Sequence, residues 1–143
     1  MITTMLDAGS IADLTMELIA AGLPTSDLAE PSRRFFRFDD DGGLVGYGGL
    51  EGIGDVRLLR SLIVTPARRR NGVGGTLLAT LERAAANDGA CALYLLTTTA
   101  RPFFQRHGYA IIDRAEAPSA IASSTEFRSL CPASATLLYK RII

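Results

Sequence analysis

The stretch from Leu58 to Leu78, LLRSLIVTPARRRNGVGGTLL, constrains the fold more than any other part of the chain. An apolar strand runs into a turn at Thr65-Pro66, then three consecutive arginines, a glycine-rich loop and an amphipathic helix. A strand that feeds a helix through a short loop is the first half of a β-α-β unit, which needs a second, parallel strand beyond the helix. Cys91 to Thr97 supplies that strand as a continuous apolar run of the buried kind.

The remaining periodicities fit around this unit. Residues 2–5 read as a short strand. Asp7 or Ser10 caps a helix that presents Ile11, Leu14 and Leu18 on one face and stops at Gly22. Residues 24–30 are a loop or a short second helix. Residues 33–39 and 44–50 are strand-like and flank Asp40-Asp41-Gly42-Gly43, a strong hairpin turn. Residues 57–64 form the long apolar strand. Residues 74–87 are helical, with Leu77, Leu78 and Leu81 inward and Gly89 beyond the end. Residues 100–107 form a short helix ended by Gly108, 109–114 and 135–142 are strands, and 118–130 has room for one short helix. The expected fold is α/β (α+β): a mixed sheet of about seven strands, mostly antiparallel, flanked by about four helices. A chain of 143 residues fits one domain, spanning 1–143.

The turn after residue 64 carries the chemistry. A helix N-terminus offers unpaired N–H groups and the positive end of the dipole, and both favour an anion. Gly72, Gly74 and Gly75 permit positive φ and close approach of a ligand. Between Val56 and Leu81 there are five arginines and no carboxylate, so a chain of zero net charge concentrates positive charge where a phosphate would sit. The glycines alone are equally consistent with a simple helix cap. A kinase-type P-loop needs a Lys that this loop lacks. A dinucleotide fingerprint needs a third glycine where Leu77 stands, and an acid ending the next strand.

Arg69-x-x-Gly72-x-Gly74, preceded by Leu62-Ile63-Val64-x-Pro66, resembles the acetyl-CoA signature of the GNAT N-acetyltransferases. Ala100-x-x-x-Phe104-x-x-x-Gly108-Tyr109 is similar to that family's second motif, at the expected separation. The resemblance runs over essentially the whole chain and implies a central parallel pair of strands that splay apart. The strings LLRSL, LYLLTTTA and EFRSLCPASA resemble the GNAT subgroup associated with arsenic-resistance operons.

The resemblance implies that the pyrophosphate of coenzyme A rests on the N–H groups of Arg70, Asn71, Gly72, Val73, Gly74 and Gly75, with Thr76 close by and Arg69 at the family's Gln/Arg position. Leu62 and Val64 would offer a main-chain edge to the pantetheine arm. A donor near Leu62 or Ile63 would polarise the thioester carbonyl. Phe103, Phe104 and Arg106 would lie on the cofactor side of the later helix. Many family members carry a Tyr at the position of Phe104 that protonates the departing thiolate, and often an Asn where Thr97 stands; Phe104 has no such proton.

The central strand lacks an acid, so Glu51, ending the preceding strand, is the nearest candidate base, with a solvated turn residue as the alternative. Arg60 lies among Leu58, Leu59, Leu62 and Ile63, shares strand parity with Leu58 and Leu62 unless a bulge intervenes, and needs a partner there. That partner is either an acidic acceptor, matched by the planar guanidinium fork, or an internal acid such as Asp55 or Glu51. Thr97, Thr98 and Thr99, with Ser134, are candidate hydroxyl donors to the acceptor. His107 and Cys131 read as structural.

The expected activity is acetyl-CoA-dependent N-acetylation of a small amine, with an organoarsenical or phosphinate toxin suggested by the subgroup. A peptide amine and a non-catalytic acyl-CoA sensor are the alternatives. Zero net charge argues against a nucleic-acid partner. One histidine and two cysteines give no zinc set. No spanning segment or secretion signal is visible, and reduced thiols fit a cytoplasmic protein. The last strand is apolar enough to pair across a homodimer, although an internal sheet edge explains it as well.

Overall fold

Asp41-Gly42 closes the hairpin expected from the sequence, with the Gly42 N–H bonded to Asp40 at 2.8 Å and Gly43 at φ 105°. It joins two strands of a single seven-stranded sheet. A computed structural model describes residues 1–69, 72–130 and 134–143. In chain order the elements are β1 (Ile2–Met5), α1 (Ile11–Ala20), β2 (Arg33–Asp40), β3 (Gly43–Glu51), β4 (Val56–Val64), α2 (Val73–Asn87), β5 (Ala92–Thr97), α3 (Arg101–Arg106), β6 (Ala110–Ile112), α4 (Ser119–Ala122) and β7 (Thr136–Arg141). The sheet order is β1-β2-β3-β4-β5-β7-β6. Only β4 and β5 run parallel. Residues 24–30 form turns rather than a second helix.

Both faces of the sheet are covered. Leu77, Leu78, Leu81 and Ala85 of α2 pack with Phe38, Leu59, Leu93 and Leu95 on one side. Leu14 and Leu18 of α1 pack with Phe35, Tyr47 and Ile63 on the other, and α4 adds Ile121 against Leu58 and Leu137. Glycines in β3 let α2 lie close: a Cβ on Gly48 would stand 2.5 Å from a Leu81 methyl.

β7 lies between β5 and β6 and hydrogen-bonds to both. Its apolar character therefore comes from its place inside the sheet. Pairing across a dimer through this strand is corrected on that ground, because its two edges are used within the chain.

Two features of β4 shape the site. The register with β3 shifts between Tyr47 and Gly49: Tyr47 faces Ile63 and Gly49 faces Arg60, so Ser61 and Leu62 together stand opposite Gly48. Ser61 adopts φ 58°, a left-handed conformation rare for a residue with a Cβ. The bulge reverses the parity read from the sequence. Leu62 and Val64 turn to the α2 side, Ile63 to the α1 side, and Arg60 no longer shares a face with Leu62. The second feature is the splay. Parallel pairing joins Val56, Arg57 and Leu58 to Ala92, Leu93 and Tyr94 and goes no further, although β4 runs on to Val64 and β5 to Thr97.

Candidate functional site

The diverging ends of β4 and β5 open a cleft of about 550 Å³. Its floor is Arg60 to Val64, one wall is Leu95 to Ala100, and the far end is closed by Ala21 to Pro24, Glu126 and Ala135. A second hollow of about 520 Å³ continues it past α2 and α3, along Gly72 to Gly75, Phe103, Arg106 and His107. Leu62, Val64, Arg69, Ala100 and Phe104 line both, so the two hollows form one groove.

At the α2 end, Gly72 takes φ 72° and caps a helix of 15 residues whose first turn contains no acid. Only this one of the three loop glycines uses positive φ. Gly74 and Gly75 are helical, and their missing side chains admit α3. A Cβ on Gly74 would lie 3.1 Å from the Phe103 ring, and one on Gly75 2.6 Å from His107 Cε1. Close packing of α3 thus accounts for part of the glycine pattern. Arg69 donates from Nε to the carbonyl of Val64 at 2.9 Å and remains exposed. Phe104 is buried edge-on between Phe103 and Tyr109. Thr76 is exposed on the first turn of α2. Arg70, Asn71 and Cys131 lie outside the described residues.

The concentration of positive charge expected from the sequence is largely neutralised in three dimensions. Arg68 pairs with Asp40 at 2.5 and 2.8 Å, and Arg57 with Asp88 at 2.7 Å. Arg69 makes no ion pair among the described residues. What favours an anion at this end is the helix terminus with Arg69, in a loop free of carboxylates.

Arg60 has its partners inside the protein. It donates to both oxygens of Asp27 at 2.5 and 2.7 Å and to Glu51 at 3.0 Å, and its Nε lies 3.2 Å from Glu126 and 3.3 Å from the Ser61 hydroxyl. The side chains of Arg60 and Asp27 are 0% exposed. Burial opposes the Arg60 charge, but Asp27, Glu126 and Glu51 outweigh it and hold the guanidinium above its already high ordinary range. Of the two readings of Arg60, the geometry favours the internal ion pair, with Glu51 as expected and with Asp27 and Glu126 in addition. Glu51 is 8% exposed, pinned by Arg60 and by Arg33 at 3.4 Å, and does not line the cleft. As a base it is displaced by this geometry, because a carboxylate clamped by two arginines away from the cleft has no route to an amine.

Burial alone would favour the neutral form of Asp27, but hydrogen bonds from Arg60 and Arg33 outweigh it and hold the group below its ordinary 3.8. A carboxylate depressed in the folded state adds stability above its unfolded pKa and loses it as pH falls through the folded value. The urea midpoint should therefore fall below about pH 3.8. Asp27→Asn should flatten that acid limb; a variant that keeps the wild-type slope would reject the assignment.

Thr97 and Thr98 line the cleft, but the Thr97 hydroxyl already accepts from the Ala100 N–H at 3.0 Å, in the turn that leads into α3. Ser134 is exposed beside Ala135 and is not part of the lining. The residues missed by sequence reasoning are Asp27, Ser61 and Glu126. Glu126 is the one carboxylate among the described residues that line the cleft.

The family model described as "Acetyltransferase (GNAT) domain" matches residues 31–111, more than half of the 143-residue chain. The chain belongs to the GNAT acetyltransferase family. The match runs from the start of β2 into β6, which includes the bulge, the splay and the glycine turn. Members of this family use acetyl-CoA. An uncharacterized N-acetyltransferase, YjcF of Bacillus subtilis (strain 168), is 39% identical over 72 residues, 50% of this chain and 45% of that protein. Rv2747 from Mycobacterium tuberculosis, solved in complex with CoA and NLQ, matches with TM-score 0.80 and 18% identity, covering 100% of both chains. The N-acetylglutamate synthase of Neisseria gonorrhoeae, solved with coenzyme A and N-acetyl-glutamate, matches with TM-score 0.74 and 20% identity over 100% of this chain and 36% of that one. The chain thus spans less than half the length of the YjcF and synthase chains it matches. At these identities the solved structures establish the fold.

Proposed function

We propose that residues 1–143 form one acetyltransferase domain that moves an acetyl group from acetyl-CoA to the amine of a small molecule. The observation that carries this is the continuous groove, which joins a carboxylate-free helix terminus to a cleft between two splayed strands. The residues fit the cofactor: a long anionic ligand needs a diphosphate cradle at one end and an unpaired main-chain edge at the other. Acetyl-CoA supplies the activated acetyl thioester. Gly72 to Thr76 hold the diphosphate through backbone N–H groups, with Arg69 alongside, and Arg70 and Asn71, which precede Gly72 in the sequence, are assigned to the same role. Leu62 to Val64 offer hydrogen-bonding backbone to the pantetheine arm, and an N–H near Leu62 or Ile63 polarises the thioester carbonyl. Phe103, Phe104 and Arg106 wall the arm from the α3 side. Thr97 and Thr98 border the acceptor end.

A narrower acceptor, an amino-acid-like organoarsenical or phosphinate and hence a detoxification role, is supported by the subgroup strings alone. Arg60, the arginine expected to pair with its oxyanion, is committed to carboxylates. A cytoplasmic location fits the expected reduced thiols; among the described residues no helix is long and apolar enough to cross a membrane.

Release of free coenzyme A over a panel of primary amines, amino acids and amino phosphinates tests this reading. Amine-dependent release is the expected result. Tight acetyl-CoA binding with no release for any amine would replace it with the acyl-CoA sensor.

A further inference from the structure

An acceptor amine is a cation at neutral pH and must lose a proton before its nitrogen attacks a carbonyl. Among the described residues, the lining of the acceptor cleft holds two arginines, Arg60 and Arg69, and one carboxylate, Glu126. Glu126 is not on a strand. It opens a short π-helical turn, Glu126–Leu130, after α4 and is 6% exposed. Its Oε2 lies 3.2 Å from Arg60 Nε. The bulge at Ser61 places that guanidinium on the floor of the splay, and Asp27 holds its other end by two bonds. Among the described residues, Arg60 faces Glu126 directly, and Asp27, Glu51, Arg33 and Glu30 join the network beyond it.

We propose that Glu126 receives the acceptor's ammonium and takes its proton, and that Arg60 is the positioning residue that holds it in the cleft lining. The proposal rests on the acetyl-transfer reading above and supplies the base that Glu51 is not placed to provide. One proton passes from the ammonium to the Glu126 carboxylate and on to water. The nitrogen lone pair then forms the new nitrogen–carbon bond as the carbon–sulfur bond breaks, with the electron pair leaving on sulfur. The second nitrogen proton is lost to solvent, which protonates the thiolate.

The test is kinetic, on the full chain with the best amine of the panel. Glu126→Gln keeps the shape of the side chain and is expected to lower kcat/KM for the amine about a hundredfold, in the range of lost acid–base catalysis. The acid limb of its pH profile should flatten, and acetyl-CoA affinity by calorimetry should stay within about twofold, since Glu126 does not line the hollow along Gly72 to Gly75. Glu126→Asp should recover part of the rate. A Glu126→Gln enzyme with wild-type kcat/KM and an unchanged pH profile overturns the proposal while leaving acetyl transfer standing. Wild-type protein that releases no coenzyme A with any amine overturns both.

Discussion

Arg60→Ala is expected to remove about 3–5 kcal/mol of folding stability, a large share of the roughly 5–15 kcal/mol that a domain holds. The substitution strips the shared cation from Asp27, Glu51 and Glu126, whose side chains are 0%, 8% and 6% exposed. Arg33 still faces Asp27 at 3.0 Å and Glu51 at 3.4 Å, so the loss falls on the charge that Arg60 shares among all three acids. A buried carboxylate without compensation costs far more than a lost surface contact. The pH dependence separates this account from simple loss of packing. In the variant burial disfavours the ionised carboxylates, so the loss is greatest at high pH and shrinks as pH falls and protons bind. Arg60→Ala should thus resist urea better near pH 5 than near pH 7, the reverse of the Asp27 effect in the wild type. A variant with an unchanged midpoint, or one that weakens further on acidification through that range, would remove the network from its structural role. Combining Arg60→Met with Asp27→Asn and Glu51→Gln should restore part of the loss, because most of the burdened charge is then gone.

The strand-to-helix turn was legible because its signals are local. Apolar runs, Thr65-Pro66 and the glycines mark β4, the turn and α2 within about two residues of their ends, and the sheet follows from the hairpin and the β-α-β unit. The floor of the acceptor cleft was not legible. Ser61 takes a left-handed conformation without being a glycine, so nothing in its identity marks the bulge that turns Leu62 and Arg60 to opposite faces. The network joins Asp27, Glu51, Arg60 and Glu126, which only the completed sheet brings together. Asp27 read as a loop residue and Glu126 as part of a polar connection, although both side chains are buried. The same blindness to long-range pairing made the arginine run look more strongly charged than it is: Asp40 and Asp88 come from outside the acid-free stretch to neutralise Arg68 and Arg57.

Gly74→Asp is expected to weaken acetyl-CoA binding about a hundredfold, equivalent to about 2.7 kcal/mol. The residue sits in the first turn of α2, beside Gly72 and within the groove that continues the acceptor cleft. An aspartate there opposes the dipole that favours an anion and brings like charge against a diphosphate at close range. A steric contribution must be separated from the electrostatic one, because any Cβ on Gly74 stands 3.1 Å from the Phe103 ring. Gly74→Ala carries that contact alone. The ring can shift by a few tenths of an ångström, so the alanine variant should lose only a few-fold in affinity. Calorimetric titration of wild type, alanine and aspartate forms, each checked for native circular dichroism, gives the comparison. The gap between the two variants should narrow with added salt, since part of it is charge repulsion at an exposed loop. Equal losses for alanine and aspartate would trace the effect to the packing of α3, and wild-type affinity in the aspartate form would move the cofactor away from this helix terminus altogether.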